Sequence, residues 1–342
     1  HLITSSLDRG GAERQVALTL KHMSGNKEYD CTLAAHRVRN RQGGRTYLEE
    51  LGNLAENVID LGSIEIGAPD DPGRATIDRN ADILNLLDGV SKRKVELLIS
   101  HFSRFEPDLV HAWQDETIFT SSIAGALTGV PIIMGSARSL SPNEKTELHI
   151  RKRPYLGSCF REIFQNESFF LSTNSTAGRK SYSKWIGIRE EEIEVIHNGV
   201  DFEKMEKDSD EVNVRKRMKE FGFEETDVIV GGVFRLEAGK RPGLWIDSFS
   251  KAREKMKSIK GVIVGGGKMK DSLIKSVEES SLDDVLKIVG EVEDVAGWLS
   301  NFDIFLFTSM TEGLPNVLIE AQAFGVPVIS TAVGGVPEIV TD

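Results

Sequence analysis

Two glutamates separated by seven residues bracket a glycine-containing turn in Thr311-Glu312-Gly313-Leu314-Pro315-Asn316-Val317-Leu318-Ile319-Glu320-Ala321. An apolar run at Ile304–Phe307 leads into that turn. A helix is predicted over Pro315–Phe324, with Pro315 at its first position and Gly325 and Pro327 ending it. Val317, Leu318, Ala321 and Phe324 recur at helical spacing and form its buried stripe. The N–H groups of Gly313–Val317 then make a helix N-terminus, which favours a phosphate. Glu320 lies about 7–8 Å along the helix from Pro315, roughly the reach from a diphosphate to its ribose. Glu312 would bind sugar hydroxyls and Glu320 ribose hydroxyls. The competing reading makes both glutamates surface charges or partners of the helix dipole, although Glu320 lies deep for the latter role.

Arg235 and Lys240 follow an apolar run in Gly232-Val233-Phe234-Arg235-Leu236-Glu237-Ala238-Gly239-Lys240-Arg241-Pro242. A leaving nucleoside diphosphate gains negative charge as its bond to sugar breaks, and placed cations stabilise that charge. Arginine forks onto phosphate oxygens and lysine adds a point charge. A solvated basic turn is the alternative. Asp8-Arg9-Gly10-Gly11-Ala12-Glu13-Arg14 opens a predicted helix after the first strand. Gly10 and Gly11 let backbone approach a ligand, or simply cap the helix. Their spacing does not meet the dinucleotide fingerprint. His111 ends a predicted strand in Asp108-Leu109-Val110-His111-Ala112-Trp113, as a reacting-centre residue or a structural one. Ile196-His197-Asn198-Gly199-Val200-Asp201 and Gly265-Gly266-Gly267 each follow a strand and read as turns, the second also as a close approach to a base or ribose.

These groups need strands that deliver them. In the first half, strands are predicted at Leu2–Thr4, Cys31–Ala35, Val58–Leu61, Leu109–Ala112, Pro131–Met134, Phe170–Thr173 and Val195–Ile196. Helices are predicted at Ala12–Met23, Ile77–Phe105 with a break near Gly89, Ile118–Leu127 and Ala177–Ile186. The second half repeats the alternation, with strands at Val228–Phe234, Gly261–Val264, Leu286–Val289, Ile304–Phe307 and Val328–Ser330. Its helices fall at Leu244–Met256, Met269–Ser280, Asp294–Ser300 and Pro315–Phe324. Strand–helix alternation predicts parallel sheets with helices on both faces. The expected fold class is α/β, with two Rossmann-like doubly wound domains, 1–200 and 201–342, facing a cleft that collects the loops after the strands.

The 342 residues suffice for two cores, and 39% hydrophobic with 28% charged residues is ordinary for a globular α/β chain. A formal net charge of −11 argues against a general nucleic-acid binder. No apolar run is long enough for a membrane span, and no signal peptide is visible. Cys31 and Cys159 lack zinc spacing and read as buried free thiols in a reducing compartment, the cytoplasm.

In this order the motifs resemble those of the family-4 glycosyltransferases, retaining enzymes of the GT-B fold. The resemblance runs over nearly the whole chain. It is carried by Gly10-Gly11-Ala12-Glu13-Arg14, His197-Asn198-Gly199-Val200-Asp201, the pair Arg235 and Lys240, the pair Glu312 and Glu320, and Gly334-Gly335-Val336-Pro337-Glu338. It implies transfer of a hexose or N-acetylhexosamine from a nucleotide-sugar, with UDP the guess by family frequency, to a glycan or lipid-linked acceptor in surface polysaccharide synthesis. Arg235 and Lys240 then hold the donor diphosphate, Glu312 lies by the donor sugar, and Glu320 binds the ribose. Amides of Gly313, Leu314, Asn316 and Val317 line sugar and phosphates, and Gly290 and Glu291 fall where the family packs the nucleobase. His111 matches a histidine near the reacting centre, and Gly10 and Gly11 match a loop that closes on the donor. No resident metal or other cofactor is implied.

Departures accompany the match. Gly135-Ser136-Ala137-Arg138-Ser139 replaces a Thr-x-His-Gly loop, so Arg138 is read as serving an anionic acceptor group or as a surface charge. The chain opens inside a predicted strand and stops at Asp342, where family members usually continue into a last helix, so a truncated chain is expected. Lys92-Arg93-Lys94 and Arg151-Lys152-Arg153 suit either a solvated face or peripheral contact with the inner leaflet of the plasma membrane. A nucleotide-sugar epimerase and a non-catalytic nucleotide-sugar-binding protein are the rival functions. The charged set favours the transferase over both.

Overall fold

A computed structural model describes residues 1–38, 46–144 and 156–341. The basic run Arg151-Lys152-Arg153 lies outside the described residues. The chain divides into two compact units, His1–Asn198 and Gly199–Asp342.

The first unit is a seven-stranded parallel sheet. Its strands are β1 (Leu2–Thr4), β2 (Leu33–Ala35), β3 (Val58–Asp60), β4 (Leu109–Trp113), β5 (Ile132–Ala137), β6 (Phe169–Thr173) and β7 (Ile193–Val195), in the spatial order β3-β2-β1-β4-β5-β6-β7. Its helices are α1 (Gly11–Ser24), α2 (Arg74–Arg79), α3 (Ala81–Leu84), α4 (Gly89–Phe105), α5 (Asp115–Thr128), α6 (Leu156–Phe164) and α7 (Thr176–Ile186). Alternation along the strands feeds two cores, one on each face. Ile3, Val110, Ala112, Ile133 and Leu171 pack under α4 and α5 residues such as Val95, Phe102 and Ile118. Leu2, Leu33, Ala35 and Trp113 pack with Val16 and Leu20 of α1.

The second unit has strands β8 (Val228–Val233), β9 (Ile259–Val264), β10 (Leu286–Gly290), β11 (Ile304–Phe307) and β12 (Val328–Ser330), all parallel, in the order β10-β9-β8-β11-β12. Its helices are α8 (Phe202–Asp208), α9 (Glu211–Glu220), α10 (Pro242–Lys255), α11 (Lys270–Glu279), α12 (Val295–Leu299) and α13 (Asn316–Ala323). Trp245, Phe249, Phe302, Phe305 and Phe307 form the heart of its core. The indole N–H of Trp245 donates to the carbonyl of Leu306 at 2.9 Å, so this large ring is buried without an orphaned donor.

Several sequence expectations shift. The predicted helix over Ile77–Phe105 is three helices, and its last begins at Gly89 because Asp88 accepts from the N–H groups of Val90 and Ser91. Strand β5 runs three residues past Met134, through Gly135-Ser136-Ala137, which had read as loop. Ser136 and Ala137 are buried and pair with β6, so Arg138 leaves the strand end directly. The polar stretch after Asp201 is helical, because Asp201 and Asp210 cap α8 and α9. Pro315 precedes α13 as its N-cap instead of starting it. Cys31 and Cys159 are both free and only half-buried.

Glycine sets the tightest packing in β8. A Cβ on Gly231 would lie 2.1 Å from Cδ2 of Phe302. Gly231→Ala must displace that buried ring and is expected to destabilise the second unit by about 1–3 kcal/mol. Urea unfolding measures this, and a change below about 0.5 kcal/mol would contradict the packing described.

Candidate functional site

Both sheets reverse their winding direction beside their first strand, between β1 and β4 in the first unit and between β8 and β11 in the second. Loops leaving the carboxyl ends of such strand pairs run apart and open a crevice. The chemistry-bearing residues gather at these two places.

In the second unit, β8 ends at Val233 and the chain turns through Arg235 to a short 3-10 turn, Ala238–Lys240. Beyond β11 it runs through Thr308 and Ser309 to Glu312, four residues ahead of α13. Across the switch point the Lys240 ammonium donates to Oε1 of Glu312. This pair is largely enclosed, with side chains 23% and 11% exposed. Arg235 behaves differently. Its side chain is 69% exposed and reaches only Glu237, at 3.3 Å. Such exposed pairs are weak, so an incoming phosphate can take the guanidinium from Glu237.

A seam of hydrogen bonds sets the two loops against each other. Arg241 Nε donates to the carbonyl of Thr308 at 2.7 Å, and an Nη donates to that of Ser309 at 2.9 Å. Thr308 Oγ1 donates back to the carbonyls of Lys240 and Arg241, at 3.1 Å each. The Met310 N–H reaches the Gly239 carbonyl at 2.9 Å. Arg241 holds a left-handed backbone, φ 49°, before Pro242 starts α10. Sequence reasoning missed this residue. Its neighbour Lys240 drew the attention, and the Arg241 partners lie far along the chain.

Glu320 is buried, 2% exposed, inside α13, so it is no surface charge. Asn316 and Val317 form the first turn of α13, and no side chain caps that end. Gly313 and Leu314 stand in the loop before it, where the Gly335 N–H donates to the Gly313 carbonyl at 2.8 Å. Gly334 passes so close that a Cβ there would sit 1.8 Å from the carbonyl oxygen of Glu312, and its φ of 53° favours glycine. Gly290 ends β10, φ 88°, with Glu291 leaning over Gly266, where a Cβ would meet its Oε1 at 2.5 Å. Gly265 and Gly267 are needed because backbone crowds them. Their Cβ atoms would strike the carbonyl oxygens of Phe234 and Leu236 at 2.0 and 2.6 Å. From β10 to β11 is three strand spacings, roughly 14 Å, which matches an extended nucleotide-sugar laid across the strand ends.

In the first unit, Gly10 is the extended N-cap of α1 and Gly11 its first residue. A Cβ on Gly10 would lie 2.2 Å from a carboxylate oxygen of Glu13, so the glycine makes room for that side chain to fold back. Gln114, just past β4, accepts from Ser5 Oγ at 2.6 Å and donates to Glu13 at 3.0 Å. Its φ of 72° and ψ of 150° lie in a region nearly reserved for glycine, at a cost of roughly 1–3 kcal/mol. It therefore ties the strand end to the Gly10-Gly11 turn under strain, and no sequence signal announced it.

His111 Nε2 lies 2.7 Å from Ser136 Oγ, which lies 2.7 Å from Ser172 Oγ. Burial, and then the Arg138 cation, lower the imidazole pKa to about 4. His111 is thus neutral at pH 7 and hydrogen-bonded to Ser136. Arg138 sits over the Trp113 ring, 4.7 Å from its centre, and bonds the Asn198 side chain. Of the basic run on α4, Lys92 faces Glu96 at 3.8 Å and Lys94 faces Glu116 at 3.0 Å. The sequence reading finds no Asp-x-Asp, which is wrong, since Asp208-Ser209-Asp210 has that metal-binding spacing. Its carboxylates are committed to Lys204 at 3.1 Å and to the α9 cap.

Two outcomes follow from this geometry. Gly334→Ala is expected to push Glu312 out of register and destabilise the second unit by roughly 1–3 kcal/mol, as urea unfolding would measure, and an unchanged midpoint would contradict the close approach. His36, His101 and His111 all have pKa values lowered to about 4, by burial first in each case. Between pH 6.5 and 4 the unfolded chain binds protons that these buried rings refuse. Stability is therefore full above pH 6.5 and falls toward pH 4, by on the order of 1–3 kcal/mol per histidine. A melting temperature of the first unit flat across that range would contradict the neutral rings.

Comparison with known proteins agrees with this layout. Residues 9–204 match the sequence family described as Glycosyltransferase Family 4, and 213–342 match the one described as Glycosyl transferases group 1. The Vi polysaccharide biosynthesis protein VipC/TviE of Salmonella typhi is 28% identical over 98% of the chain, which spans 60% of that relative's length. A UDP-Gal:alpha-D-GlcNAc-diphosphoundecaprenol alpha-1,3-galactosyltransferase of Escherichia coli is 27% identical over 67% of the chain and matched over 58% of its own length. The structure of Anabaena Alr3699/HepE in complex with UDP superposes with a TM-score of 0.70 at 18% identity, covering all of this chain and 82% of that one. The shared fold, two parallel sheets with flanking helices, is the one these enzymes use. With the family pattern matched over more than half its length, the chain belongs to glycosyltransferase family 4.

Proposed function

We propose that the protein is a retaining glycosyltransferase that moves a hexose or N-acetylhexosamine from a UDP-sugar to a glycan or lipid-linked acceptor in surface polysaccharide synthesis. The observation that carries this reading is the meeting of Lys240 and Glu312 across the β8–β11 switch point, just ahead of α13. A cation, a carboxylate and a helix N-terminus in one crevice suit a diphosphate joined to a polyhydroxylated sugar. The names of the relatives favour the same donor and acceptor classes, since one uses UDP-galactose with a diphosphoundecaprenol acceptor and another solved structure holds UDP.

Residues 201–342 take the donor. The diphosphate displaces Glu237 from Arg235, engages Lys240 and meets the first-turn N–H groups of α13. Glu312 turns to the sugar hydroxyls, Glu320 accepts from the ribose, and the base packs by Gly290 and Glu291. The bond from the anomeric carbon to the phosphate oxygen breaks with its electron pair going to the phosphate, whose growing charge Arg235 and Lys240 stabilise. The acceptor oxygen bonds that carbon on the same face, and its proton passes to the departing phosphate. Residues 1–200 bind the acceptor, and His111 and the Gly10-Gly11 turn are the groups of that unit assigned a part in the reaction. No resident metal is assigned, because Arg235, Lys240 and α13 supply the counter-charge. The site of action is the cytoplasm, at the inner leaflet when the acceptor is lipid-linked.

A thermal-shift panel of UDP, GDP, ADP and CDP tests the donor class, and UDP is expected to stabilise the chain most. Lys240→Ala should weaken UDP binding by about tenfold or more, one charge-assisted hydrogen bond's worth. Glu312→Gln should lower turnover at least about a hundredfold while UDP still binds. Unchanged turnover in Glu312→Gln would remove that residue from the reaction, and silence toward all four nucleotides would sink the transferase reading.

A further inference from the structure

Arg138 is a largely enclosed cation without an opposing charge among the described residues. It follows directly on β5, and no carboxylate among the described residues lies within ion-pair distance of it. Its guanidinium lies over Trp113 and bonds the neutral Asn198 amide, while its Nε has no partner. Beside it Asn174 donates to the Arg138 carbonyl at 3.3 Å, and the Asn174 Oδ1 is also buried without a partner. Burial alone lowers the guanidinium pKa to about 10, with no negative group holding it up. Neighbouring His111 is neutral and contributes no charge of either sign. A buried charge is normally paired, since desolvation otherwise goes uncompensated. In a chain with eleven more formal negative than positive charges, a cation left this way is a site waiting for an anion.

We propose that Arg138 is the anion-binding residue of the acceptor site. The acceptor carries a compact oxyanion, a carboxylate on a sugar or a phosphate on a lipid, that docks on the guanidinium beside Trp113 and Asn198. This rests on the reading of the first unit as acceptor-binding. The donor's own diphosphate has its cations, Arg235 and Lys240, in the second unit. Arg138 follows the carboxyl end of β5 and His111 lies midway along the adjacent β4, both against the Trp113 ring, so the anion would fix the acceptor near the neutral imidazole. An arginine there selects against neutral acceptors, because a neutral group leaves the enclosed cation unpaired.

Calorimetry on the whole chain, with UDP saturating the donor site, tests this using glucuronate, glucose and hexyl phosphate as probes. Glucuronate or hexyl phosphate is expected to bind at least about tenfold tighter than glucose, and the tighter of the two names the source of the oxyanion. Arg138→Gln should abolish that preference and Arg138→Lys restore part of it, with UDP affinity unchanged in both. Equal binding of all three probes, or a preference that survives Arg138→Gln, overturns the proposal. Should Arg138→Gln fail to fold, the His111 ring is titrated by NMR in the unmodified chain. A bound anion offsets the Arg138 cation, so glucuronate raises the His111 pKa and glucose does not, and an unmoved titration overturns the proposal as well. UDP binding without anion preference leaves the donor reading standing and defeats only this inference. Anion preference without any nucleotide binding defeats the acceptor assignment.

Discussion

The Arg241 guanidinium donates to the carbonyls of Thr308 and Ser309, while the Thr308 hydroxyl donates to the carbonyls of Lys240 and Arg241. These bonds join two loops that the sheet itself drives apart, since β8 and β11 are neighbours whose following segments wind in opposite directions. The seam ties the turn that carries Lys240 to the one that carries Glu312. With it, their side chains are brought to a fixed meeting point, and preorganisation of that kind is what lets charge stabilise a departing group. The glycines follow from the same constraint. Gly334 and Gly265 are places where another backbone comes too near for any side chain.

The first unit holds its groups by other means. Its switch point is bridged by the Ser5–Gln114–Glu13 relay, which keeps Gln114 in a backbone region that glutamine avoids. Strain of this sort persists only where the surroundings over-determine the conformation. The hydroxyls of Ser136 and Ser172 then place the neutral His111 ring from below the strand ends. The second unit thus sets cations against carboxylates, while the first sets the Arg138 cation beside a neutral ring and a strained Gln114.

Most of the architecture was legible because parallel strands buried on both faces read as plain apolar runs, as Ile304–Phe307 and Ile259–Val264 do. The carboxyl half of β5 was not, because Gly135, Ser136 and Ala137 are small and carry no hydrophobic signal although they are buried. That error mattered, since it left Arg138 adrift in a loop. Helices α8 and α9 were hidden for a similar reason. α9 buries only Val214 and Met218, so its periodicity is faint and its Asp210 cap is the better clue. The residues of the candidate site were visible as types at spacings, above all Glu312, Glu320 and Lys240. Arg241 and Gln114 were invisible, because their roles depend on backbone angles and distant carbonyls that no local pattern encodes.

The pairing of each candidate-site cation with a glutamate, Arg235 with Glu237 and Lys240 with Glu312, has a kinetic side. An open basic patch on an acidic protein would draw any polyanion by long-range attraction, at a rate that collapses with added salt. Here each positive charge is already cancelled at a distance and becomes felt only at contact, as one anion replaces another. The net charge of −11 then sets the field felt at a distance, and added salt would speed the approach of any anion by screening that repulsion.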